Sequence, residues 1–358
     1  MSRDEGDRSA EVPHPRETAG LSGHVGAERE LLEAYRSGRL HHAWLIGGPR
    51  GIGKATLAWR FARFLLAVPD PRSELARRAT TLAVAPDHPV ATQVSRGSAA
   101  DVVALRRTRN EKTGKLYTEI RIDEVRAATG LFQRAAGAGG WRVCIIDSAE
   151  DLNRSSANAL LKLVEEPPAR AVFLILAHQP SRVMPTLLSR CRKLFLPPLS
   201  DTEVAHALDA LPPAGPAPAP EDRQAAIARA GGSVGRALAL LDPDRLALDR
   251  EIARELDRLP VVDGRALHRL ADRLAAAERD GEAVAELLGA ALLDWLDAAL
   301  HRGAAEGVPA RNLAPLAEVW DKLHASIREA EALNLDKRPL ILSLFAALAE
   351  ATASPRRF

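Results

Sequence analysis

Apolar residues are spaced in two ways along the chain. Short continuous runs, His42–Ile46, Arg142–Asp147 and Ala171–Ala177, predict strands buried on both faces, as in a parallel sheet. Between them, apolar residues recur at helical spacing over Glu28–Tyr35, Ala55–Ala67, Asp123–Ala136 and Ser155–Glu166, the last helix being stopped by Pro167-Pro168. Strands alternating with helices predict a parallel α/β sheet covered on both sides. Residues 69–120 carry neither period and read as irregular, with a turn at Thr113-Gly114-Lys115.

Pro212–Pro220 holds five prolines in nine residues and reads as a linker. Beyond it only the helical pattern occurs. Four regions follow: a charged, Pro-containing tail over 1–20, expected to be disordered; an α/β domain over 21–200; a small helical domain over 201–245; and an all-α domain over 246–358. In the last, Ala285–Leu296 and Leu340–Leu348 are apolar over more of their circumference than one core stripe needs, which suits assembly with a partner. Trp295 and Trp320 are candidate anchors there, and serve equally well as internal packing. Asn334 is a candidate N-cap for the final helix.

At 358 residues and 46% hydrophobic content, the chain has material for two or three cored domains. Lys and Arg total 49 against 47 Asp and Glu, so the chain has no overall charge with which to grip nucleic acid. The basic segment Arg106–Arg121 reads first as a solvated hairpin and only second as a DNA-facing patch. Two cysteines, Cys144 and Cys191, exclude a disulfide framework and a four-cysteine zinc site, and Cys191 reads as a packing residue. The N-terminus lacks the apolar core of a signal peptide, and no apolar run of about 18 residues exists. The expectation is a cytoplasmic protein with no membrane contact.

Gly48-x-x-x-x-Gly53-Lys54 follows a predicted strand and opens a predicted helix, the context of a phosphate-binding loop. Glycines let backbone N–H groups turn toward phosphate, and the lysine and helix dipole add positive charge. Candidate nucleotide-binding residues are therefore Gly48, Gly51, Gly53 and Lys54, with Ala55, Thr56 and Asp147 at the metal side. Yet Ala55 stands where a Ser or Thr hydroxyl should meet Mg²⁺. Thr56 lies about 100° further round the helix. Ser148 follows Asp147, and Glu150 is not in the adjacent position, so no general base is evident.

Three segments carry a family likeness: Gly38–Ile46 leading into the glycine loop, Ala157-Asn158-Ala159-Leu160-Leu161-Lys162-Leu163-Val164-Glu165-Glu166-Pro167-Pro168, and Thr186-Leu187-Leu188-Ser189-Arg190-Cys191. Together they resemble the bacterial DNA polymerase III clamp-loader subunits, of the delta-prime and gamma/tau types, over about Leu21–Leu241 and more weakly beyond. The resemblance implies an AAA+ P-loop α/β domain, a helical lid and a helical collar that builds a pentameric ring. Asn334-Leu335-Asp336-Lys337-Arg338 is similar to the family's collar helix.

Within the family, four departures match the non-hydrolysing delta-prime type: Ala55; Ser148; Ala177-His178 where an ATPase has a polar Thr pair; and Gly235, with Arg236 displaced by one, where the lid's sensor arginine belongs. The family's zinc module is absent. The resemblance implies that Arg190 acts in trans as an arginine finger on a neighbour's nucleotide. It implies no required cofactor, ATP or ADP held at most without hydrolysis, no zinc and no metal ligands. The implied partners are the gamma/tau and delta subunits, the sliding clamp and, through the complex, primer-template DNA. No polymerase active site is visible, only the lone Asp147; the isolated chain is expected not to be an enzyme, though part of the polymerase holoenzyme. The alternatives are an active gamma/tau-type ATPase or another AAA+ ATPase.

Overall fold

The computed structural model describes residues 13–110, 117–133, 140–212, 217–279, individual positions between 287 and 319, and 337–353. Five strands, β1 (Ala43–Gly47), β2 (Val102–Leu105), β3 (Arg142–Asp147), β4 (Ala171–Ala177) and β5 (Arg192–Phe195), form one sheet in the order β2-β3-β4-β1-β5. Every neighbouring pair is parallel. The continuous apolar runs follow from this placement, because alternate residues point to opposite faces and both faces are covered.

On one face Trp44, Ile46, Val143, Ile145, Leu174 and Leu176 pack with Leu31, Tyr35, Leu57, Phe61 and Phe64 of helices α1 (Val25–Arg36) and α2 (Lys54–Ala67). Two short helices, α3 (Glu74–Arg78) and α4 (Pro89–Ser95), add to that side. On the other, Ala43, Leu45, Cys144, Ile146, Phe173 and Ile175 pack with Val125, Phe132, Leu160 and Val164 of α5 (Ile122–Gln133) and α6 (Arg154–Glu165). Asn153 caps α6 by accepting from Ser156 N, and Glu165 is its last residue before Pro167. This is the parallel α/β sheet, covered on both faces, that the apolar runs predict.

Two strands had no sequence signal. β2 lies in the stretch read as irregular, and its four residues are too few to show a period. β5 follows the short helix α7 (Pro185–Leu188) and is an edge strand in which only Leu194 is buried. Its charges belong to the edge: Arg192 lies over the Trp44 ring at 4.7 Å and pairs with Glu30 at 2.8 Å.

The tail reading needs correction over 13–20, residues 1–12 lying outside the described set. Arg63 of α2 is 5% exposed and its guanidinium must find acceptors; the Thr18 carbonyl is one, and Arg60 beside it donates to the Ala19 carbonyl. Arg60 also pairs with Glu28 at 2.7 Å, and His14 stands edge-on to Trp59. Burial, then the nearby Arg60, pulls the Arg63 pKa down to about 10. These buried cations fix the segment to α2, an effect invisible in its polar composition.

By contacts, the chain divides into two compact units, Met1–Ala219 with Ile227–Leu238, and Pro220–Ala226 with Ala239–Phe358. Residues 201–245 are thereby shared between the two. In the first unit, α8 (Asp201–Asp209) starts with a capping box between Ser200 and Glu203, and Leu199, Val204, Ile227, Ala230 and Ala237 form a small apolar cluster. Ile227 of α9 (Pro220–Arg229), Ala230 at that helix's C-cap and Ala237 of α10 (Val234–Leu240) are its last three members.

In the second unit, α11 (Pro243–Asp257), α12 (Gly264–Arg279) and α13 (Lys337–Ala353) surround Ile252, Leu256, Leu270, Leu274, Ile341, Phe345 and Leu348. Ile341, Leu344, Phe345 and Leu348 make one ordinary core-facing stripe, and Trp295 packs half-buried against the same core. Trp320, Asn334 and much of Ala285–Leu296 lie outside the described residues.

Phe173 is fully buried at the centre of the sheet and stacks on Phe132 with ring centroids 5.1 Å apart. Phe173→Ala should lower the unfolding free energy of this unit by about 3–5 kcal/mol. Urea unfolding followed by circular dichroism measures it, and a loss under about 1 kcal/mol would contradict this packing.

Candidate functional site

The glycine loop leaves β1 at Gly47 and enters α2 at Lys54. Gly48, Gly51 and Gly53 have φ of 145°, 76° and 105°, which side-chain-bearing residues rarely adopt, so the predicted glycines are required by the turn itself. Lys54 is 3% exposed. Its Nζ donates to the carbonyls of Gly48 at 2.6 Å and Pro49 at 2.5 Å. Burial lowers its pKa to about 8, while Asp147 and Glu150 oppose that fall.

Two more of the loop's carbonyls are taken. His24, in the left-handed conformation with φ 55°, donates from Nε2 to the Ile52 carbonyl at 2.7 Å. Gly235 N–H donates to the Gly51 carbonyl at 3.1 Å. The approach is close: a Cβ on Gly51 would fall 2.3 Å from Ser233 Oγ, and one on Gly235 would fall 3.2 Å from Gly51 Cα. The absence of a side chain at Gly235 thus allows its segment to meet the glycine loop backbone to backbone. Ala55 is half-buried against the apolar core and presents no hydroxyl, while Thr56 is half-buried one position further along α2.

The acidic end is tied up as well. Ser148 is buried, and its hydroxyl donates to Asp151 Oδ2 at 3.3 Å. Asp151 pairs with Arg107 at 3.2 Å; burial raises the Asp151 pKa and Arg107 opposes this. Glu150 Oε1 accepts from the backbone N–H groups of His178 at 2.7 Å and Gln179 at 3.1 Å. Glu150 therefore joins the exit of β3 to that of β4, and that oxygen is committed to the backbone.

His178 is driven down to about pKa 3, first by burial and then by Lys54, Arg50 and Arg107, so its ring is neutral. Glu150 Oε2 and His178 Nδ1 are buried without a hydrogen-bond partner among the described residues. Three cations, Lys54, Arg50 and Arg107, thus share one site with Asp147, Glu150 and Asp151.

His24 and Arg107 belong to the site and had no sequence signal. Arg107 sat inside the segment read as a solvated hairpin. Its neighbours are also used internally: Arg106 contacts His14, and Arg121 pairs with Glu124 at 3.3 Å and lies over Tyr117 at 4.3 Å. Residues 111–116 of that segment lie outside the described set.

Arg190 stands apart from the loop cluster, just past α7 and 40% exposed. It pairs with Glu165 at 2.8 Å and donates to the Thr186 carbonyl at 2.8 Å. Next to it, Cys191 bonds through Sγ to the Leu187 carbonyl at 3.1 Å, and burial pushes its thiol up to about 11. Burial raises Cys144 as well, so neither thiol is a ready nucleophile near neutral pH. Among the described residues no group of three or more His, Cys, Asp or Glu is placed to hold a metal, and no helix is long and apolar enough to cross a membrane.

A family model described as "DNA polymerase III, delta subunit" matches residues 24–200. The chain is 36% identical over 150 residues to DNA polymerase III subunit delta' of Pseudomonas aeruginosa, covering 42% of this chain and 41% of that one. It is 32% identical over 225 residues to subunit delta' of Escherichia coli, covering 60% and 59%. It is 31% identical over 198 residues to subunit tau of Salmonella typhimurium, covering 54% and 28%. The match spans less than two thirds of each of these relatives' own length.

The state of Lys54 sets a pH dependence. Its pKa is 10.5 ordinarily and about 8 in the fold, so between those values the unfolded chain binds more protons and stability rises with pH. Lys54→Met removes this contribution. The stability of wild type relative to the variant should therefore increase from about pH 8 to about pH 10, read by chemical denaturation. A difference that stays flat or falls would mean the lysine is not desolvated as described.

Proposed function

We infer, because the chain belongs through residues 24–200 to the family described as "DNA polymerase III, delta subunit", that it is a non-hydrolysing subunit of a clamp-loader complex. In this reading it acts in DNA replication, helping to load the sliding clamp onto primed DNA. Its partners are gamma/tau and delta subunits, the clamp, and primer-template DNA reached through the complex, in the cytoplasm. The second, helical unit serves as the collar that joins the ring.

The observation that carries the non-hydrolysing reading is the acidic end of the site: Glu150, the acid that follows Asp147 most closely in sequence, has Oε1 committed to the backbone N–H groups of His178 and Gln179. The Mg²⁺ hydroxyl is missing at Ala55, and Ser148 stands beside Asp147 where a carboxylate would activate water. The chain needs no cofactor of its own; ATP or ADP, if held at Lys54, would be held without turnover. Arg190 acts instead on a neighbour, where a guanidinium stabilises the charge that develops as the γ-phosphate leaves. Its exposure and its place outside the loop cluster support that role.

The likeness to tau subunits keeps a second reading, an active ATPase of the same ring. Hydrolysis separates the two. The purified chain should turn over ATP no faster than Lys54→Ala; a Lys54-dependent rate on the order of 1 s⁻¹, ordinary for an enzyme, would establish the second reading.

Arg190→Ala should leave the chain folded and able to join the complex. An arginine finger is worth about 10³–10⁵ in rate at the site it serves, so the reconstituted loader should lose most of the activity of one site and keep the rest. Wild-type ATPase and clamp loading by the mutant complex would remove Arg190 from the mechanism.

A further inference from the structure

We infer that Glu165 is a positioning residue for Arg190, holding the guanidinium in the free subunit and surrendering it to the neighbour's phosphate when the two subunits close. This rests on the reading of Arg190 as a finger acting in trans.

The starting observation is an electrostatic misfit. Helix α6 ends on Glu165 with Glu166 as its C-cap, two exposed acids at the end where unpaired carbonyls already make the field negative. The helix's apolar face does not call for acids there: the buried residues of α6 are Ser156, Ala157, Leu160 and Val164. Lys162 in the same last turn offsets part of the misfit, and a cation from another element offsets more of it. Arg190 Nη2 meets Glu165 Oε1 at 2.8 Å, while Nη1 donates to the Thr186 carbonyl at 2.8 Å and to Ser189 Oγ at 3.3 Å. The guanidinium is thus held between the end of α6 and the end of α7. Three donor contacts are used, and the Nε–H has no partner among the described residues.

Two consequences follow from the exposure of the pair, 40% for Arg190 and 46% for Glu165. Such a pair is screened by water and salt and holds only weakly, so it sets a geometry without locking it. It also competes directly with phosphate, since both are oxyanions that bind guanidinium through paired N–H donors. A terminal phosphate carries more charge than one carboxylate and can displace Glu165, entering first at the open Nε–H. Until that exchange, the carboxylate neutralises the finger and repels the incoming nucleotide. The arginine acts only where a neighbour's nucleotide is in place.

The test uses the complete complex, reconstituted with the gamma/tau and delta subunits of the same organism, with ATP as the probe. Glu165→Gln keeps the side chain's size and removes the competing charge. It should lower the KM for ATP at the affected interface by about two- to fivefold, the range set by exposed ion pairs, with the difference shrinking in high salt. Glu165→Asp, which retains the charge, should return KM toward the wild-type value.

The thermal midpoint of the isolated Glu165→Gln chain should match or exceed wild type, because an acid leaves a helix C-terminus; a purely structural role predicts a lower one. In the Arg190→Ala background, Glu165→Gln should change nothing further. A KM that is unchanged or raised, or an effect carried in kcat, overturns the positioning role. If Arg190→Ala itself leaves the complex unaltered, the finger reading fails, and that result is distinct from failure at Glu165.

Discussion

A lysine buried to 3% exposure must be surrounded by oxygen, and at Lys54 the oxygens come from the chain's own backbone. Much of the site follows from that. The loop offers carbonyls to Lys54, His24 and Gly235, so its path is fixed by the chain's own donors. The acids behind it take corresponding roles: Asp147 and Glu150 moderate the lysine's desolvation, and Glu150 ties together the ends of two strands. The glycine loop is thereby a structural joint.

Most of the α/β domain was legible in the sequence because it is double-sided. Trp44 and Ile46 face α1 and α2 while Leu45 faces α5 and α6, so β1 had to be apolar throughout, and such runs stand out. Edge elements were illegible for the opposite reason. β5 buries only Leu194, and Arg192 finds Trp44 and Glu30 only after folding. The glycine loop was readable because backbone geometry dictates residue type. Its closure was not, since the contacts of His24 and Gly235 with it span 28 and 184 residues of chain. The strap at 13–20 looked disordered because polar composition cannot reveal that Arg63 requires its carbonyls.

The two ends of the α/β domain behave differently in electrostatic terms. Around Lys54 a cation only 3% exposed is held by backbone carbonyls, with the half-buried Asp147 and Glu150 nearby. Around Arg190 the paired charges are exposed and screened by water and salt. The degree of burial separates the two.

The contact between Gly51 and Gly235 bears on how such a protein could change over evolutionary time. Both partners are glycines, so the fit is between bare main chains. Any side chain at Gly235 would begin with a Cβ 3.2 Å from Gly51 Cα, so one of the two segments would have to shift to admit it. A change at either glycine therefore needs an accommodating change in the other segment, and the two positions are constrained as a pair although 184 residues separate them.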